Sequence, residues 1–137
     1  MRTRRQLIDA IMDSLGVLVP GQAPSDEDVA RIDDHIDPGL ATLAALGIIY
    51  VADAGTPDPP DGGQIEDAIY LPLADWFAWQ LAPAFNLGDS APLKAGADDA
   101  EKVLRTIGRP ASTRRTLATD TQLASPRRVP FNFQRGT

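Results

Sequence analysis

The sequence predicts an all-α protein: a small helical bundle of four to five helices, with a long proline-rich loop and an extended C-terminal arm. Three observations carry this reading. Apolar residues recur at three- and four-residue spacings through most of residues 1–108. Only one short run, IIYVAD at 48–53, is β-branched and aromatic enough to suggest extended chain. Beyond Pro110 the helical pattern dissolves into Ser, Thr and Arg.

Leu7, Ile8, Ile11, Met12 and Leu15 fall on one face of a first helix, and Gly16 stands where a C′ glycine would end it. VLVPGQAP (17–24), with two prolines, reads as a connector. Ser25 opens the next element: SDED is capping-box-like and places acids in a first turn. Val29, Ile32 and Ile36 give its apolar stripe. Pro38 interrupts that stripe. Asp37 as N-cap with Pro38 at N1 would start a fresh helix, lined by Leu40, Leu43 and Leu46 and ended by Gly47. The expectation here is two helices or one sharply kinked helix.

The run 48–53 is expected to be extended. AGTPDPPDGG (54–63), with three prolines and three glycines in ten residues, is expected to be an exposed loop without regular structure. Ile65, Ile69, Leu73, Trp76, Phe77, Leu81 and Phe85 predict the central core helix, with a kink or late start at Pro72. NLGDSAP breaks it. Leu93, Ala97, Ala100, Val103, Leu104 and Ile107 predict a last helix, closed by Gly108 and Pro110. The chain therefore divides into a bundle over 1–108 and an arm over 109–137.

A chain of 137 residues is one ordinary domain, and 43% apolar residues are enough to build one core. There is no cysteine, which excludes disulfides and thiolate metal sites. No apolar run approaches the roughly 18 residues of a membrane-spanning helix. The N-terminal MRTRRQLIDAIMDSLG is basic, but Asp9 and Asp13 interrupt its apolar residues, so it reads as an amphipathic helix and not a signal peptide.

The net charge of −6 conceals a strong polarity. Residues 6–104 hold eighteen acids against three basic residues, and residues 105–137 hold seven arginines against one acid, Asp120. Three more arginines lie in the first five residues. An acidic body with basic ends suggests oriented contacts with a partner or with nucleic acid.

Few motifs carry chemistry. The lone histidine, His35, sits in DDHID; on a helix Asp33 and Asp37 share a face while His35 points elsewhere, so these residues are expected to form a solvated face and not a metal site. A single histidine without a buried orienting acid does not make a nucleophilic triad. GTPDPPDGG matches neither a phosphate-binding loop nor a dinucleotide fingerprint. Asp98, Asp99 and Glu101 are expected near the start of the last helix, complementing its dipole. No catalysis, no metal and no cofactor are expected.

The remaining signals concern contacts. Trp76, Phe77 and Trp79 are expected in the core, with Trp79 offset from the main stripe and a candidate subunit contact. Arg114 and Arg115 in TRRT, and Arg127 and Arg128 in PRR, are candidate basic contacts, for phosphate or for carboxylates of an acidic body. Val129, Phe131 and Phe133 alternate with Pro130 and Asn132. An extended segment with alternate apolar anchors suits strand addition or groove binding.

In order, the chain shows a basic first helix running into LGVLVPGQAPSDEDV, a second helix, LGIIY, a proline-rich loop, the PLADWFAWQLAPAFN helix, the AEKVLRTI helix, and an arm ending in arginines and FNF. This order of parts resembles the head–tail connector proteins of tailed bacteriophages and gene transfer agents, also called adaptor or head completion proteins. The resemblance covers nearly the whole chain. It departs from the family pattern at Pro38–Gly39, where many members read as an uninterrupted helix, and at Pro72.

The resemblance implies a small α-helical bundle that self-associates, in about twelve copies, into a ring below the portal protein. The ring would connect head to tail, extend the channel for passing duplex DNA without sequence-specific contact, and receive a downstream tail or stopper protein. The segment Arg127, Arg128, Val129, Pro130, Phe131, Asn132 and Phe133 would dock on the portal or a neighbouring subunit. The location implied is the virion, at the head–tail interface, after assembly in the host cytoplasm, with no membrane involved. An acidic wall suits such a channel because it repels phosphates. The 27 residues after Pro110 could reach up to roughly 90 Å when extended. The alternative is a small helical regulatory protein whose arginine-rich arm binds nucleic acid.

Overall fold

The structure, a computed structural model, describes residues 1–109 except 19, 58, 59, 62 and 89. Within them the chain is an all-α bundle. Helix α1 spans Arg4–Leu15, α2 Asp26–Ala45, α3 Asp67–Leu81 and α4 Ala91–Gly108. A 3-10 turn, Ala82–Phe85, extends α3. α3 is the central helix and packs most extensively against α4 and α1.

Local chemistry sets the first boundaries, with the stop at Gly16 and the start at Ser25 as expected. Thr3 caps α1 through a reciprocal pair of bonds with Gln6, and Gly16 ends it with φ 73°. Ser25 caps α2 by accepting from the Asp28 N–H, with three acids in the first turn. All five apolar residues of the predicted α1 face are buried.

α2 is one continuous helix across Pro38, so neither a fresh start at Asp37 nor two helices is found. The stripe explains why. Val29, Ile32, Ile36, Leu40 and Leu43 are all buried at spacings of three and four. Burying each is worth about 1.5–3 kcal/mol, which together outweighs the roughly 3 kcal/mol cost of an interior proline. Pro38 itself is exposed, and the Thr42 hydroxyl donates to its carbonyl at 2.9 Å. Leu46 lies at the C-cap and is exposed, not part of the core stripe.

Pro72 likewise lies inside α3, which begins before it at Asp67. Ile65 stands outside the helix, in an isolated antiparallel bridge with Arg2. Phe85 falls in the 3-10 turn, where Pro83 has no N–H for an α-helical bond. The run 48–53 forms no strand; Ile48 is buried while Ile49 and Val51 are half-buried against the core. The proline-rich loop does hold a minimal ladder: Thr56–Pro57 pairs antiparallel with Pro60–Asp61. Proline donates no N–H, which limits such a ladder.

α4 starts at Ala91, earlier than its acids suggest. Asp98, Asp99 and Glu101 therefore lie in mid-helix, and the first turn is free of acids. Two of them form surface pairs instead, Asp99 with Lys102 and Glu101 with Arg105. The buried face of α4 is Ala97, Ala100 and Leu104, small enough to let α3 approach closely.

Close packing also fixes α2 on α3. Gly39 faces the ring of Phe77, which stands edge-on to Trp76 at 5.1 Å between centroids. A Cβ at Gly39 would collide with that ring. We expect Gly39→Ala to lose about 1–3 kcal/mol despite its gain in helix propensity of up to about 1 kcal/mol. Urea unfolding followed by circular dichroism checks this. In the Phe77→Leu background the same substitution should cost less, because the ring it strikes has gone.

Candidate functional site

The predicted arm, including Arg114, Arg115 and the docking segment Arg127–Phe133, lies outside the described residues. Trp79 is half-buried on α3, beside Ser90, Ala91 and Lys94 at the start of α4, around a shallow cleft of about 350 Å³. It is offset from the core stripe as its position in the sequence suggests.

Of the DDHID residues, Asp34 and His35 are exposed as expected, but Asp33 and Asp37 are taken up by an arginine. The Arg4 side chain, only 6% exposed, spends all five guanidinium N–H groups on α2 and the loop. Nε donates to Asp33 Oδ1 at 2.5 Å, and Nη1 and Nη2 donate to the two carboxylate oxygens of Asp37 at 2.8 and 3.2 Å. Nη2 also reaches the Asp33 carbonyl at 3.1 Å and Nη1 the Gly55 carbonyl at 3.4 Å. Burial pulls the guanidinium pKa down, but the bonds to Asp37 and Asp33 outweigh it, and the net shift is upward. A raised pKa keeps Arg4 charged at every pH below its ordinary value, so its contribution would be lost only in strong alkali. His35 turns away from this clamp and donates Nδ1–H to the Arg31 carbonyl at 2.9 Å.

The other N-terminal arginines are also engaged. Arg2 pairs with Asp67 at 3.0 Å and lies over the Tyr70 ring, 5.0 Å from its centroid. Arg5 is 3.6 Å from Asp9. Tyr70 donates its hydroxyl to the Gln6 carbonyl at 2.8 Å, and its burial pushes the phenol pKa up against the opposing pull of Arg2. The basic N-terminus thus belongs to the fold.

A second feature is a cleft of mixed apolar and polar lining. Where α4 ends, a cleft of about 430 Å³ opens between Met1, Tyr50, Ile69, Ile107 and Gly108, with Glu66 on its rim. Met1 (74%), Tyr50 (78%) and Ile107 (41%) are exposed, and so is Val103 one turn back along α4 from Ile107. Gly108 is required here: a Cβ would strike the Ile48 carbonyl, so the end of α4 rests directly on the 48–49 backbone. Among the described residues, no hydrogen bond reaches the backbone of Ile49 through Ala52.

The spacing signals for both features were in the chain. Arg4 precedes Leu7 and Ile8 by three and four residues, so it falls on the apolar face of α1. A cation on that face needs acids opposite it. Val103 and Ile107 sit four apart on α4, beside its buried stripe.

Among the described residues no cluster of His, Asp and Glu is placed to hold a metal ion, and no helix is long and apolar enough to cross a membrane. No family model, curated protein or solved structure matches this chain.

Asp33 is the more buried acid of the clamp, its side chain 26% exposed against 71% for Asp37. We expect Asp33→Ala to cost about 2–4 kcal/mol, since it strands part of a buried charge, and Asp37→Ala about 1 kcal/mol. Arg4→Lys should also destabilise, because a lysine cannot reproduce the five-donor fork. Chemical denaturation of the three variants measures all of this.

Proposed function

We propose that the chain is a structural connector of the virion of a tailed phage or gene transfer agent. In this reading it forms a ring adaptor below the portal, joins head to tail and extends the DNA channel, without catalysis. The observation that carries the reading is the division of charge. The described body is a helical bundle rich in exposed acid whose N-terminal arginines are consumed in its own ion pairs. Most of the chain's other basic residues fall in 105–137, which holds seven arginines and a single acid, Asp120, and ends in VPFNF and QRGT.

That division suits the task. An acidic wall repels phosphates and lets duplex DNA slide. A basic terminal segment with alternating apolar residues suits insertion into a groove on the portal or a neighbouring subunit. Ring multiplicity then adds avidity to a modest single contact. Trp79, half-buried outside the core stripe, is a candidate subunit contact.

The test is co-purification with the portal of the same virion. Deleting residues 125–137 should leave a folded helical protein that no longer binds portal. Retained binding overturns the docking role. Phe131→Ala with Phe133→Ala should weaken capture more than Arg127→Ala with Arg128→Ala at both low and high salt. A steep salt effect without a phenylalanine effect would instead favour the nucleic-acid-binding reading, which a gel shift with duplex DNA at physiological salt then decides.

A further inference from the structure

We propose that the cleft at the C-terminal end of α4 is the resting site of this chain's own segment 129–133, VPFNF. The segment adds along residues 49–52 as an extended strand and sets its phenylalanines among Met1, Tyr50, Ile69 and Ile107.

Four observations converge on that occupant. The first is unmet chemistry: a cleft of about 430 Å³ is open, lined by both apolar and polar groups and flanked by exposed Met1, Tyr50 and Ile107. Such a patch fits aromatic side chains. The second is the backbone of 49–52, which has no hydrogen-bonding partner among the described residues, so its N–H and C=O groups are left for an added segment.

The third is where the chain goes. Gly108 lines the cleft, so the C-terminal segment begins at its rim. The step from Arg109 to Val129 is long enough to span up to roughly 70 Å, far more than a return to the same cleft requires. A tethered segment meets its site at an effective concentration on the order of millimolar, which favours the chain's own copy over a free one.

The fourth is register and charge. In an extended strand Val129, Phe131 and Phe133 place their side chains on one face. Their N–H groups all point to one edge as well. Pro130, which has no N–H, then lies on the opposite, unpaired edge, where a strand tolerates it. The sequence thus satisfies both demands at once. Glu66 on the rim has no ion pair among the described residues, and Arg127 and Arg128 immediately precede Val129.

The inference needs no portal and stands apart from the connector reading. If both hold, the portal competes with the cleft for the same phenylalanines.

The chain has no cysteine, so a single nitroxide can be placed at Gln134→Cys in the full-length protein. Methyl NMR then reads proximity. Signals of Ile49, Val51 and Ile107 should fall severalfold relative to Leu15 and Leu81 at the far ends of α1 and α3. Adding Phe131→Ala and Phe133→Ala to the spin-labelled chain should restore them. A mixture of isotope-labelled chain without nitroxide and unlabelled chain with it should show no such loss. Loss in the mixture equal to that within one chain assigns the cleft to a second copy and overturns the proposal. Absence of loss, or loss indifferent to the phenylalanines, also overturns it.

Discussion

The Arg4 guanidinium is the joint on which the N-terminal half of the protein depends. It joins the first turn of α1 to the middle of α2 through Asp33 and Asp37, and it reaches the proline-rich loop through the Gly55 carbonyl. Each N–H has an acceptor, which is the condition for burying such a group without a large penalty. Its consequences extend past α2. With Arg4 fixed, Arg2 pairs with the backbone of Ile65 and with Asp67 at the start of α3. The chain entering α1 and the chain leaving the loop are thereby held side by side. Met1, Gln64 and Glu66, which lie on those two segments, form one wall of the cleft, and the end of α4 forms another. The Arg4 clamp thereby shapes the cleft at the end of α4.

The rest of the bundle follows from a contest between burial and local preference. Two prolines sit inside helices, and in both places the apolar stripe runs through. Propensity is a cost of a few kcal/mol at one residue; a stripe of buried side chains is a gain repeated at every turn. Where the stripe stops, proline decides: α3 tightens into a 3-10 turn at Pro83. Small residues set the spacing of the layers. Gly39 admits the Phe77 ring, Ala97 and Ala100 admit α3, and Gly108 admits the backbone of Ile48.

What could be read from the sequence was the part governed by periodicity and caps. The buried faces of α1 and α3, the stop at Gly16 and the start at Ser25 follow from spacing and from single-residue chemistry. The continuity of α2 was not legible at Pro38, because a local rule cannot weigh long-range burial. The acids of α4 were misplaced because the helix starts a full two turns before them. The clamp was hidden for a different reason. Spacing puts Arg4 on the apolar face of α1, but Asp33 and Asp37 read as ordinary surface acids, and only the pairing of α1 with α2 makes the three partners. Of the contact residues expected from the sequence, Trp79 is described and half-buried, and those of the C-terminal segment lie outside the described residues.

One asymmetry carries the connector proposal: a body whose N-terminal arginines are paired with its own acids, and a C-terminal sequence, 105–137, rich in arginine and ending in VPFNF and QRGT. In the connector proposal, such a body lines a passage for DNA and is held by its C-terminal segment. Electron microscopy of the purified protein alone and mixed with its portal tests that claim most directly. The account predicts a ring seated coaxially on the narrow end of the portal, with the bundle around an open channel. A protein that leaves the portal bare, while binding duplex DNA on its own, would contradict it.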